Sequence, residues 1–290
     1  MPSLHARLAP AVLTAIVALV SIGCATDTAT PSPAIRTAIP VSAPPTASAT
    51  PSASASAATV SAPPASPAVA VPDRNPARMD GAVTYQPTID PADFVETVDN
   101  PYWPLVPGTT STFRSADERT VTAVTSDRRT VMGVSTVVVH DQVFSGSDLV
   151  EDTFDWYAQD RAGNVWYFGE ATVSYEDDPA GDHAGSWEAG VGGAQPGVVM
   201  LADPIGGDVY RQEFLAGEAE DLALVRQGGT KLKVPAGSYD DVLVTEEWTP
   251  LEPAVIELKY YARGVGVIAE RGIFGSDELV QLIRIKPPGG

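Results

Sequence analysis

The sequence predicts a mainly β protein: a single antiparallel β-sandwich or partly open β-barrel with one short N-terminal helix. Three observations predict it. From Gly108 onward Thr, Val and aromatic residues recur at period two, as a pleated and half-buried surface requires. Gly- and Pro-containing turns separate these short runs, a spacing that suits antiparallel strands. The stretch from Asp73 to Gly290 is 218 residues without a cysteine, long enough to hold itself together by core burial alone.

The chain opens with a targeting segment. Arg7 gives a basic start, and the fifteen residues from Leu8 to Ile22 carry no charge. A membrane-spanning helix needs about 20 apolar residues, so this run reads as the core of a secretory signal over residues 1–23. It ends at Ser21-Ile22-Gly23-Cys24, which resembles a lipobox, with Ser21 where Leu is more usual. Cys24 is the single cysteine of the chain, so it is the expected lipidation site. The expectation is an extracytoplasmic protein, anchored by lipid to the outer face of the cell membrane.

Residues 24–72 form a compositional break. No charged residue lies between Thr37 and Pro72, and no aromatic residue precedes Tyr85. Such an Ala/Ser/Thr/Pro tract cannot offset the entropy of ordering its backbone, so a disordered tether is expected. The 48 residues from Ala25 to Pro72 would average ~40 Å as a coil and reach ~150 Å as polyproline. Ser/Thr/Pro tracts are also candidates for O-glycosylation.

Residues 73–290 are the β-rich globular domain. Residues 1–72 carry Arg7, Arg36 and Asp27, net +1, against −19 for the whole chain, so the domain holds −20. That sign repels nucleic acid and favours cations, small molecules or envelope components as partners. A monomer is expected. Within the domain, Asp90-Pro91-Ala92-Asp93 has the capping Asp and early Pro of a helix start. Asn100-Pro101-Tyr102-Trp103-Pro104 forbids its continuation.

Strands are expected over Thr110 to Arg114, Thr120 to Thr125, Thr136 to Phe144 and Val150 to Gln159. The turn Asp160-Arg161-Ala162-Gly163-Asn164 then returns Val165 to Phe168 as a hairpin. Asp177 to Gly207 is rich in Gly and Pro and reads as an irregular loop. Strands resume at Val209 to Phe214. Glu218 to Arg226 suits a helix by composition and a strand by spacing. Lys231 to Val234, Val242 to Trp248, Val255 to Ala262, Val265 to Glu270 and Leu279 to Ile285 complete the set.

Several segments form a signature. They are Asn100-Pro101-Tyr102-Trp103-Pro104-Leu105, Asp155-Trp156-Tyr157-Ala158-Gln159-Asp160 and Gly163-Asn164-Val165-Trp166-Tyr167-Phe168-Gly169-Glu170. Gly185-Ser186-Trp187-Glu188-Ala189-Gly190, Ala194-Gln195-Pro196-Gly197 and Lys259-Tyr260-Tyr261-Ala262-Arg263-Gly264-Val265-Gly266 continue it. Together they resemble an uncharacterised family of exported bacterial β-rich proteins, over about Asp90 to Ile285. The resemblance implies a recurring exported module and no particular activity.

Residue chemistry narrows the function classes. After residue 24 there is no cysteine, and His140 and His183 are the domain's two histidines. Gly185-Ser186-Trp187 lacks the second glycine of a nucleophile elbow, since Glu188 follows. Two histidines without a spacing relation give no zinc framework. Carboxylates and aromatics remain. Glu170, Glu176, Asp177, Asp178, Asp182 and Glu188 fall within nineteen residues, and oxygen-rich loops suit calcium. Asp177, Asp178 and Asp182 are the candidate metal ligands, and a solvated acidic loop is the alternative. Tryptophans beside acids also line small-molecule sites, so Asp155, Trp156, Trp166, Glu170, His183, Trp187, Glu188 and Glu213 are candidate binding residues. Acid pairs for glycoside hydrolysis would be Asp155 with Glu188, or Glu213 with Glu246. The sequence therefore points to a binding or envelope-associated module requiring no cofactor. The alternative is a carboxylate-dependent hydrolase, with calcium as its supporting ion.

Overall fold

Short paired strands account for almost every ordered element between Tyr85 and the C-terminus. The structure is a computed structural model, and residues 85–176 and 179–289 are described. The signal segment, Cys24 and the tether lie outside the described residues. The expected helix is a single 3-10 turn, Pro91–Asp93. Asp90 caps it by accepting from the Ala92 N–H at 2.9 Å, and extended backbone at Phe94 ends it.

Among the described residues, seventeen strands follow. The first three are short: β1 Phe94–Val95, β2 Val98–Asn100 and β3 Trp103–Leu105. The main sheet begins with β4 Thr110–Arg114, β5 Glu118–Val131, β6 Val134–Ser145, β7 Asp148–Asp160 and β8 Val165–Ser174. The expected irregular loop contains β9 Trp187–Glu188 and β10 Gln195–Met200. Next come β11 Val209–Arg211, β12 Glu213–Phe214, β13 Leu222–Val234 and β14 Gly237–Trp248. The chain ends with β15 Ile256–Ala262, β16 Gly266–Phe274 and β17 Leu279–Lys286. The ambiguous segment around Leu222 is therefore a strand.

The main sheet is antiparallel throughout, in the order β11-β13-β14-β15-β16-β17-β4-β5-β6-β7-β8-β10-β12. Its two ends meet through one piece of chain. Val209 to Arg211 pair with β13, and after Gln212 the residues Glu213 and Phe214 pair with β10. The sheet is thus a nearly closed barrel, and Gln212 is its covalent seam. Gly197 permits that seam, because a Cβ there would overlap the Gln212 carbonyl.

Cross-strand partners point to the same side of a sheet, so the register assigns the lumen. Tyr157, Asp155, Thr153 and Glu151 of β7 oppose Val137, Val139, Asp141 and Val143 of β6. Asp155 also opposes Glu170 of β8, and Asp141 opposes Thr122 of β5. Across the barrel, Glu247 opposes Glu257, Thr245 opposes Lys259, and Lys259 opposes Glu270. The opposite parity faces outward. There Phe94 packs edge-on against Trp166 and Phe168, at centroid distances of 6.3 and 5.5 Å. Both faces are therefore buried over Asp155 to Asp160 of β7 and Val165 to Glu170 of β8.

Candidate functional site

The Asn100-Pro101-Tyr102-Trp103-Pro104 segment closes one end of the barrel. β2 and β3 pair as a two-stranded hairpin separate from the main sheet. Hydrogen bonds fasten it across the rim. The Asn100 side-chain amide donates to the Gly163 and Leu201 carbonyls at 2.9 and 3.0 Å. Gln159 Oε1 accepts the backbone N–H groups of Asp99 and Asn100. On the far side the Gly264 N–H donates to the Pro101 carbonyl at 2.7 Å, and the Arg263 guanidinium lies over the Tyr102 ring. Two prolines in five residues and a buried, fully bonded asparagine make this a rigid lid.

Trp103 is what the lid puts into the lumen. Its ring lies 5.6 Å from Tyr157 on β7 and 6.0 Å from Tyr261 on β15, strands from opposing walls. Beneath it is a cavity of roughly 80 Å³, walled by Trp103, Leu105, Phe113, Val124, Val139, Tyr157 and Val267. The polar groups reaching that cavity are Thr109, Ser111, Thr122 and Asp141.

Asp141 is 6% exposed, and its Oδ1 has no hydrogen-bond partner. The Trp103 indole N–H and the Thr122 hydroxyl are also buried without a close hydrogen bond, although the Thr122 hydroxyl lies near enough to Asp141 to stabilise its carboxylate. Orphaned buried polar atoms are uncommon in native folds; three belong to residues of this cavity, and others, among them Asp155 Oδ2 and the Tyr210 hydroxyl, lie elsewhere in the interior. Burial pushes the Asp141 carboxyl up to about 6, against the opposing pull of Thr122 and His140.

Beside the cavity the lumen carries a carboxylate wall. Asp155 Oδ1 accepts the Tyr167 hydroxyl at 2.7 Å, and Glu170 Oε2 accepts the Thr172 hydroxyl at 3.0 Å. Burial first raises both acids well above their ordinary values, and repulsion adds to it, from Asp141 on Asp155 and from Asp155 on Glu170. Glu213, fully buried, adds to the repulsion felt by Glu170. On the opposing wall the Lys259 ammonium sits 2.9 Å from Glu247 and 3.7 Å from Glu270. Thr245 and Tyr261 donate their hydroxyls to Glu247 as well. Burial alone would raise Glu247, but Lys259 and these donors bring it below its ordinary value. Toward the other barrel end, Glu118 and Glu151 are pushed up to about 7 by burial.

The candidate residues divide by face. Asp155, Glu170, Trp187 and Glu213 are buried, and the pairing of Trp187 with Glu170 places it on the lumen side. Trp187 packs edge-on against Tyr167 at 5.2 Å. Trp156 and Glu188 face outward and share one partner: Arg129 stacks over the Trp156 ring and pairs with Glu188. Trp166 also faces outward, its indole N–H donating to Asp160 at 2.9 Å. His183 is exposed, with Nδ1 3.2 Å from the Thr172 carbonyl. His140 lies on the outer face, bonded to Asp152 at 2.7 Å and stacked on Phe154.

The postulated acid pairs therefore straddle the sheet. Asp155 faces the lumen and Glu188 the outside. Glu213 is interior, while Glu246 pairs outward with Arg226. For the metal ligands, Asp177 and Asp178 lie outside the described residues, and Asp182 is exposed and accepts from the Ala184 N–H. Among the described residues, no group of three His, Cys, Asp or Glu side chains is placed to hold a metal ion.

No protein-family model and no curated protein matches this chain. Two solved structures are similar in shape. One, from Bacteroides fragilis, is described only as an exported protein with a YmcC-like fold. It is 14% identical, aligns 64% of this chain with 99% of its own, and gives a TM-score of 0.40. The other, from Parabacteroides distasonis, is described as a lipoprotein, with 10% identity, 64% and 98% coverage and a TM-score of 0.35. Likenesses this distant carry no statement about activity, and the site must be read from its own geometry.

Proposed function

We propose that this chain is an exported, lipid-anchored binding protein whose barrel receives a small molecule in the cavity beneath Trp103. The observation that carries the reading is the cavity itself: aromatic and aliphatic walls, with a few convergent polar groups, under a fastened lid. Binding sites have this composition. At roughly 80 Å³ the cavity suits a group of a few heavy atoms rather than a whole lipid. The uncharged Leu8 to Ile22 run and Cys24 support secretion and anchoring, with residues 24–72 as the tether that lifts the domain from the membrane. The net charge argues against nucleic acid as a partner.

The hydrolase reading has less support. Its acid pairs lie on opposite faces of the sheet, and the cavity reaches Asp141 rather than Asp155, Glu170 or Glu213.

The test is a methyl-resolved NMR titration of the full chain with 1-butanol. Val124, Val139 and Val267 should shift saturably, while Val131 and Val134, buried elsewhere, should not. Val139→Phe, which fills the cavity, should remove the response. Shifts spread evenly over the protein, or none, would overturn the reading.

A further inference from the structure

We propose that the cavity beneath Trp103 selects a protonated primary amine, with Asp141 as its counter-ion. The inference rests on the binding reading above and adds the charge and donor character of the ligand.

An orphaned acceptor asks for a donor. Asp141 Oδ1 is buried, unpartnered and part of the cavity lining. A neutral apolar guest would leave that oxygen unsatisfied and desolvated, whereas an ammonium supplies both an N–H and a compensating charge. The Thr122 hydroxyl, opposite Asp141 in the register and also without a close hydrogen bond, can accept a second N–H from the same group.

The walls favour a cation too. Trp103 and Tyr157 border the cavity, and aromatic rings attract a desolvated cation. The field around it has the same sign. Asp141 is diagonal on the lumen face to both Glu151 and Asp155 of β7, a separation of ~7–8 Å in an antiparallel pair. The interior Lys259 is held on the opposing wall by Glu247 and Glu270, and what eases Asp141 from the charge side is His140 on the outer face of β6. An anion entering this space would meet repulsion from the acids around it.

The remaining polar atom sets a limit on the ligand. The Trp103 indole N–H is a donor without an acceptor, so an amine carrying a nearby hydroxyl or carbonyl oxygen would satisfy it as well. Small amino alcohols have that composition.

The experiment compares n-butylammonium with 1-butanol, which match in shape and differ in charge, at fixed ionic strength. The methyl shifts of Val124, Val139 and Val267 report both. We expect the ammonium to bind at least tenfold more tightly than the alcohol, and Asp141→Asn to abolish that advantage. In the unsubstituted protein, the carboxyl carbon resonance of Asp141 should move with the ammonium and not with the alcohol, which serves if the variant does not fold. Equal affinities would overturn the charge assignment and leave the binding reading standing. An advantage that survives Asp141→Asn would overturn the role of Asp141. Silence from both ligands would remove the cavity as a binding site and this proposal with it.

Discussion

The Lys259 ammonium and the Glu247 carboxylate meet at 2.9 Å inside the barrel, both almost inaccessible to water. Removing one member of such a pair leaves the other buried and uncompensated, which costs about 3–5 kcal/mol. Lys259→Met should therefore destabilise the fold by that amount in chemical denaturation. The double variant Lys259→Met with Glu247→Leu should recover most of it, since an apolar pair of similar volume is often neutral. A single variant as stable as the parent would show that Glu247 is protonated and that the pair carries no charge.

Stability should rise as the solution is acidified. Asp141 moves from 3.8 to about 6 on folding, and Glu151 from 4.5 to about 7, in both cases chiefly through burial. A carboxyl with a higher pKa in the folded chain takes up protons on folding, so its cost is fully relieved below the unfolded value and returns as pH passes the folded one. A tenfold change in proton affinity is worth about 1.4 kcal/mol. Between pH 7.5 and 5 these two groups together contribute about 4 kcal/mol, so the melting temperature should rise by roughly 8–15 °C, at ~2–4 °C per kcal/mol for a domain of this size. Glu247, held below its ordinary value, works against this trend only on further acidification. A melting temperature that falls steadily from pH 7.5 to 5 would contradict the buried carboxylate wall.

Gly197→Ala should be among the most damaging small substitutions. Its added methyl would overlap the Gln212 carbonyl and the Glu213 nitrogen, backbone atoms of the seam that cannot turn aside as a side chain can. Overpacking of this kind costs about 1–3 kcal/mol or more. The same change at Gly192, where a Cβ meets open space, should cost less, leaving the strain of its positive φ. Equal denaturation midpoints for the two variants would show that the seam yields.

Cys24→Ala should abolish incorporation of a fatty-acid analogue and shift the protein toward the medium. A chain beginning at Asp73 should melt at the temperature of the unlipidated parent, because residues 24–72 offer little apolar surface to pack. Persistent labelling would place the anchor elsewhere, and a markedly lower melting temperature would make the tract part of the fold.

The strands were legible because Thr and Val alternate through them, and the β7–β8 hairpin is placed where Asp160 to Asn164 predicts it. What alternation does not reveal is which side is the lumen. Around the hairpin turn β7 and β8 are buried on both faces, so Trp156 and Trp166 are as inaccessible as Tyr157 and Tyr167. The missing information was the register to β6, which puts Asp155 beside Val139 and turns Trp156 out toward Arg129. Asp141 carried a readable signal: it is in phase with Val137, Val139 and Val143, so an acid stood in a row of core residues. Lys259 carried the same signal between Glu257 and Tyr261. Trp103 did not, because its position depends on Asn100 reaching Gly163 and Leu201, far away in the chain.

The seam at Gln212 changes how the sheet can come apart. A ribbon of strands frays from its two ends, where the outermost strand is held on one side only. Here the two ends belong to one continuous segment, and peeling β11 from β13 drags β12 against β10. Neither border can open alone. Slow amide exchange should therefore extend around the whole circumference, with β10 and β13 as protected as strands in the middle of the order, and without a weak margin from which unfolding spreads.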